Sequence, residues 1–103
     1  MLNKVILIGR LTNDPEFRYT GNENAVANFG LAMDRPFKNK QGENEADFIN
    51  VVTWRRQAEN VAEHLSKGSK AAVEGRIQSS KYEDKEGNNR VKVEVVAENV
   101  KFL

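Results

Sequence analysis

The apolar residues of this chain come in short, mostly β-branched bursts separated by polar turns, with one exception. That rhythm constrains the fold most, because a period of two marks strands and a period of 3.6 marks helices. The longest aliphatic run, Val5-Ile6-Leu7-Ile8, is apolar at both parities, which predicts a strand covered on both faces. From Ala25 to Met33, Ala27, Phe29, Leu31 and Met33 alternate with Asn28, Gly30 and Ala32, predicting a strand with one apolar face. A third strand is predicted over Asp47 to Trp54, with Ile49, Val51 and Thr53 on one face. Phe48, Asn50, Val52 and Trp54 fall on the other, so both faces carry apolar bulk. Lys70 to Ile77 and Arg90 to Ala97 predict two more strands. Beyond Val91, Val93 and Val95, the apolar Val100 and Phe102 switch parity, which predicts a bulge or strand end near Glu98-Asn99.

The exception is Gln57 to Lys67. Ala58, Val61, Ala62 and Leu65 are spaced as one stripe of an amphipathic helix, with Lys67 and Gly68 as stop signals. Asp14-Pro15 with Gly21, Asn22 and Asn24 makes Leu11 to Asn24 a loop. Arg35-Pro36 opens a polar hairpin connection, and Glu83 to Asn89 reads as a hairpin tip. Five strands with a helix between the third and fourth fit an all-β, five-stranded OB-fold barrel, small and partly open. A five-stranded roll or an α+β sandwich would give similar bursts. At 103 residues the chain has the length of one domain, 1–103.

Composition removes several classes of function. A charged fraction of 30% with 39% hydrophobic residues describes an ordinary globular chain. No stretch approaches the roughly 18 apolar residues of a membrane span. The N-terminus has neither the hydrophobic length nor the cleavage site of a secretory signal. With no cysteine, disulfides, zinc fingers and thiol chemistry are excluded. The one histidine, His64, stands on the helix flank and removes most metal-ligand and Ser-His schemes. No phosphate-loop, GxSxG or HExxH pattern occurs, and Glu43, Glu45 and Asp47 read as a solvated turn rather than a catalytic pair. The expectation is therefore no enzyme, no metal and no cofactor. Sixteen Lys and Arg against fifteen Asp and Glu leave a formal charge of +1, which on its own argues against nucleic acid.

The aromatics argue the other way. Phe29 shares a face with Leu31 and Met33 and is expected in the core, and Phe102 is expected to pack or form an interface. Phe37 stands instead in the polar loop between Arg35 and Lys38, Phe48 and Trp54 share one strand face, and Tyr82 follows Lys81 in a polar run. Every base has a π-face, so exposed rings bind single strands by stacking, while neighbouring cations engage phosphates. Phe48 and Trp54, six residues apart, span about 20 Å of strand, room for several bases. A net charge hides placement: Arg35, Lys38, Lys40, Arg55, Arg56 and Lys81 lie near the rings in sequence. Glu59, Glu63, Glu94 and Glu98 belong to the helix or last strand.

The blocks NKVILIGRLTNDPEFRY, AVANFGLA, LSKGS, EGRIQSSKY and VEVVAENV together make the chain resemble the bacterial single-stranded DNA-binding protein family over its whole length. The resemblance implies an OB-fold, a homotetramer, and sequence-nonspecific binding of single-stranded DNA in replication, recombination and repair. It implies a cytoplasmic protein of the bacterial nucleoid. The family's stacking positions fall on Phe37, Phe48, Trp54 and Tyr82, and its DNA-contacting cations on Lys4, Lys38, Lys40, Arg56, Lys67 and Lys81; Arg35 and Arg55 join them by proximity. Many members continue through a flexible Gly/Gln/Pro-rich linker to an acidic tail that recruits other proteins. This sequence ends at Leu103, so no acidic tail and no tail-mediated partners are expected. A shortened chain and a tail-less paralog used in DNA uptake or carried by mobile elements both fit. Two rival readings keep the same rings: an OB-fold protein-interaction module of a primosome or replisome, and a cold-shock-like RNA binder.

Overall fold

In the computed structural model, which describes all 103 residues, the alternating segments form strands and the exceptional segment forms the single helix. The elements run β1 (Val5–Leu11), β2 (Glu16–Tyr19), β3 (Ala25–Asp34), β4 (Ala46–Trp54), α1 (Arg55–His64), β5 (Lys70–Glu83) and β6 (Asn89–Phe102). Hydrogen-bonded neighbours follow the order β1-β5-β6-β4-β3-β2, and a further β1–β3 pairing closes the five long strands into a ring. The closure is short, Arg10 opposite Ala32 and Leu11 opposite Leu31. All pairings are antiparallel except β4–β6, where Asn50, Val51 and Val52 run parallel to Glu94, Val95 and Val96. The all-β reading with one helix between long strands holds.

Inside the ring, the period-two faces meet. Phe29 and Leu31 of β3, Val51 of β4, Val73 of β5 and Val95 of β6 are almost wholly buried. Thr53, the one buried polar residue, donates its hydroxyl to the Ala27 carbonyl at 2.9 Å, which offsets the cost of burying it. Ala58, Val61 and Leu65 of the helical segment join this cluster. The helix lies by the start of β3 and the end of β4. At the other ends of those strands Val5, Leu7, Met33, Ile49, Ile77 and Val93 line an open apolar cleft.

Four expectations need correction. The segment Leu11 to Asn24 is not wholly loop: Glu16–Tyr19 pairs with Ala25–Asn28. Without β2, that half of β3 would have an unpaired edge, since β1 reaches only Leu31 and Ala32. The helix ends at His64, short of Lys67, because the next amides have tertiary partners. Gly68 N–H donates to the Leu11 carbonyl and Lys67 N–H to Asp14 Oδ1, both at 2.8 Å. The fourth and fifth expected strands extend well past Ile77 and before Arg90, forming a polar two-stranded ribbon that pairs out to Glu83 and Asn89. Finally, the first strand is not covered on both faces within the chain. Val5 and Leu7 turn inward, while Ile6 and Ile8 remain 69% and 56% exposed.

The bulge lies where the parity switch puts it. Glu74 pairs with Asn99 but Gly75 with Ala97, so Glu98 is the extra residue.

Candidate nucleic-acid interface

The outward face of β4 carries Phe48, Asn50, Val52 and Trp54 in alternation. Register extends this face sideways. Trp54 lies opposite Val26, which lies opposite Arg18 of β2; Val52 lies opposite Asn28, which lies opposite Glu16. On the other flank Asn50 meets Glu94, and Glu94 meets Gln78. Tyr82, four residues beyond Gln78 on β5, therefore projects to the same side of the sheet as Phe48 and Trp54.

All four candidate rings are accessible. Phe37 is 82% exposed, Phe48 70%, Tyr82 51% and Trp54 41%, whereas Phe29 is buried as its face requires. None of the four packs against another ring. The loop that carries Phe37 is ordered from its tip: Asn39 Oδ1 accepts from the Gln41 and Glu43 amides at 3.0 and 2.9 Å. The tip beside Tyr82 is ordered likewise, since Asp84 Oδ1 accepts from the Glu86 and Asn88 amides at 3.0 and 2.8 Å.

The twelve candidate residues do not form one patch. Arg35 closes the neck of its hairpin: Nη1 donates to Glu45 Oε2 at 2.8 Å, and Nη2 and Nε to Asp47 Oδ1 at 2.9 and 3.2 Å. These bonds, with Asp47 the larger influence, hold the guanidinium above its ordinary pKa. Lys4 pairs with Glu74 at 3.1 Å and Glu98 at 3.6 Å, and the hydrogen bond to Glu74 chiefly raises its pKa. Lys38, Lys40, Arg55, Arg56, Lys67 and Lys81 are exposed and form no ion pair. Lys81, opposite Val91, points to the other face of the ribbon from Tyr82. Sequence proximity had joined them; strand alternation separates them.

At the end of β4 the positive charge is concentrated. Arg55 and Arg56 begin α1, whose first turn has no acidic residue and whose N-cap, Trp54, makes no side-chain cap. Cations at this end oppose the helix dipole, so the two arginines raise a positive potential that a phosphate would relieve. Arg55 also has φ +57, in the left-handed region that costs a non-glycine residue roughly 1–2 kcal/mol. The chain thus departs sharply from the strand directly after the Trp54 ring.

Sequence reasoning missed three participants. Arg18 is exposed, without an ion pair, two strands from Trp54 on the same face; the aromatic-basic-aromatic alternation Phe17-Arg18-Tyr19 was its signal. Glu16 and Glu94 stand between the rings rather than away from them. The carboxylates Glu45 and Asp47 serve Arg35. His64 sits on the helix flank against Phe102, with ring centroids 5.5 Å apart.

No helix is long and apolar enough to cross a membrane. What the surface offers is a face of separated rings, bordered by unpaired cations, with no deep pocket at its centre. Residues 2–103 match the model of the single-strand binding protein family. The chain is 63% identical over its full length to a single-stranded DNA-binding protein of Halalkalibacterium halodurans, of which it covers 61%. It is 61% identical to single-stranded DNA-binding protein A of Bacillus subtilis, covering 60%, and 58% identical to single-stranded DNA-binding protein 3 of Listeria innocua, covering 64%. It thus spans about three-fifths of the length of the curated relatives it matches. With a closed ring of strands, one helix after β4 and a match over almost every residue, the chain belongs to the single-strand binding protein family and has its OB-fold.

Proposed function

We propose that this domain binds single-stranded DNA without strong sequence preference, and serves its protection in replication, recombination and repair. The observation that carries the reading is the shared outward face of Phe48, Trp54 and Tyr82. A ring held half-exposed on a rigid strand costs little to order when a base stacks on it. Phe37 adds a fourth platform from the β3–β4 loop. Stacking at about 1 to 3 kcal/mol per base gives a gross 4 to 12 kcal/mol for four rings. Immobilising a flexible strand offsets part of this. Lys38, Lys40, Arg18, Arg55 and Arg56 are free to meet phosphates, which makes the affinity fall with salt. The printed names of the relatives support the same reading.

The domain acts by binding rather than by catalysis, in the cytoplasm, and assembles as a homotetramer. Linked sites convert four modest affinities into one high avidity, provided the strand can wrap between them. The exposed Ile6 and Ile8 give the chain an apolar strip for that assembly.

Trp54 is the only tryptophan, so its fluorescence reports on the site directly. Titration with oligo-dT at low salt is expected to quench it; no quenching by the folded protein would remove the stacking reading. Competition between matched DNA and RNA strands separates the DNA reading from an RNA-binding one.

A further inference from the structure

Between Phe48 and Trp54 the sheet is neither flat nor apolar. An open cleft of about 360 Å³ lies there, lined by Glu16, Asn28, Gly30, Asn50, Val52 and Glu94, with Lys92 at its side. Asn50 and Val52 are the two β4 residues that alternate between the rings, so a strand stacked on both rings passes over this cleft.

Its chemistry is unlike a phosphate site. Lys92, the one cation in the lining, is paired with Glu94 at 3.5 Å, and the Glu94 side chain is only 12% exposed. Glu16 adds a second carboxylate. A phosphate would meet net negative charge, which drives the backbone outward toward the rim cations and turns base edges inward. Asn28 Oδ1 lies in this cleft, buried and without a protein hydrogen-bond partner, alone among the side-chain polar atoms of the chain. A buried acceptor left unsatisfied costs roughly 1–3 kcal/mol, which a donor from a ligand would recover. Asn50 likewise makes no hydrogen bond within the chain and stands diagonally across the β3–β4 pair from Asn28.

We infer that this cleft is a base-edge subsite for nucleobases with an exocyclic amino group, with Asn28 as acceptor, aided by Asn50 and Glu16. Cytosine offers an amino donor where thymine offers a carbonyl acceptor, so acceptors in the cleft distinguish them. The two are pyrimidines of similar stacking area, which separates edge recognition from stacking. The domain therefore carries a composition bias on top of stacking that ignores sequence. This inference rests on the single-strand reading above.

The test compares affinities for oligo-dC and oligo-dT of equal length, at fixed ionic strength, for the full chain and its Asn28→Ala variant. The ratio of dC to dT affinity is expected to fall about threefold to tenfold in the variant, with dT binding nearly unchanged. Asn50→Ala, at an exposed position, is expected to shift the ratio in the same direction and serves if Asn28→Ala does not fold. An unchanged ratio in a folded variant, or equal loss on both oligomers, would overturn the subsite while leaving the stacking face intact. Failure of the unsubstituted chain to bind either oligomer would overturn the single-strand reading itself.

Discussion

Arg35 stands two residues from the most exposed ring, yet its guanidinium is committed to Glu45 and Asp47 across the neck of the hairpin. A charge so paired releases few counterions when DNA arrives, whereas the unpaired Lys38 releases them in full. The two cations should therefore separate in a salt titration. Lys38→Ala is expected to reduce the slope of log affinity against log salt by about 0.7, the value for one single-strand phosphate contact. Arg35→Ala is expected to leave the slope unchanged and still lower affinity about threefold to tenfold, because the loop carrying Phe37 must then be ordered on binding. Equal slope changes would return Arg35 to the phosphate-contacting set. The rings themselves give a second prediction. Phe48 and Trp54 lie outside the core, so the double alanine variant should keep its melting temperature while losing about 2 to 6 kcal/mol of binding. Unfolding of that variant would mean the rings are structural.

The β5–β6 ribbon depends on local devices, because its outer half has no interior to pack against. At its tip, Asp84 accepts Arg90 Nε at 2.9 Å besides the two turn amides, and these bonds, Arg90 first, lower its pKa from 3.8. A carboxylate with a depressed folded pKa stabilises above its unfolded value and loses that contribution as pH falls through the folded one. The tip should thus stay ordered down to about pH 3.8 and loosen below it, followed by amide protection at Gly87 and Asn88. In Asp84→Asn that transition should vanish; its persistence would assign it elsewhere. At the ribbon's base, a Cβ on Gly75 would press into the Val96 carbonyl beside the bulge. Gly75→Ala is expected to cost on the order of 2 kcal/mol in denaturant unfolding. Elements with an interior face were legible in sequence, and those without were not. Phe29 and Leu31 announce β3 by alternation, and Val100 announces the bulge by breaking it. Glu16–Tyr19 is exposed throughout, and Gln78–Glu83 is polar, so neither strand leaves a hydrophobic trace. The rings were legible as aromatics stranded among polar residues. The cleft between them was not, because only register gathers Glu16, Asn28, Asn50 and Glu94 from four strands.

Ring closure consumes one face of every long strand and leaves the other to solvent, and that outer surface is divided. Rings and free cations mark the β4 side, whereas β1 presents Ile6 and Ile8 beside Glu74 and Ala72. Aliphatic side chains give a base nothing to stack on, and Lys4 nearby is already paired with Glu74 and Glu98. This surface suits burial against protein, where each isoleucine removed from water contributes roughly 1.5–3 kcal/mol. Contact through this strip would leave the stacking face open on each chain, the arrangement that wrapping a strand over several subunits requires. Ile6→Glu with Ile8→Glu should therefore convert the assembly to single chains of 11.7 kDa by light scattering, with the circular dichroism of the folded domain retained. Burying two carboxylates at an apolar contact is costly, whereas leaving them in water on a lone domain is not. The same variant keeps all four rings, so its affinity for an oligomer long enough for only one site should hold. Affinity for a strand long enough to span several subunits should fall by at least tenfold, as avidity is lost. An unchanged mass would place the assembly contact elsewhere on the domain. An unchanged affinity for the long strand, with the mass reduced, would mean that each domain binds independently.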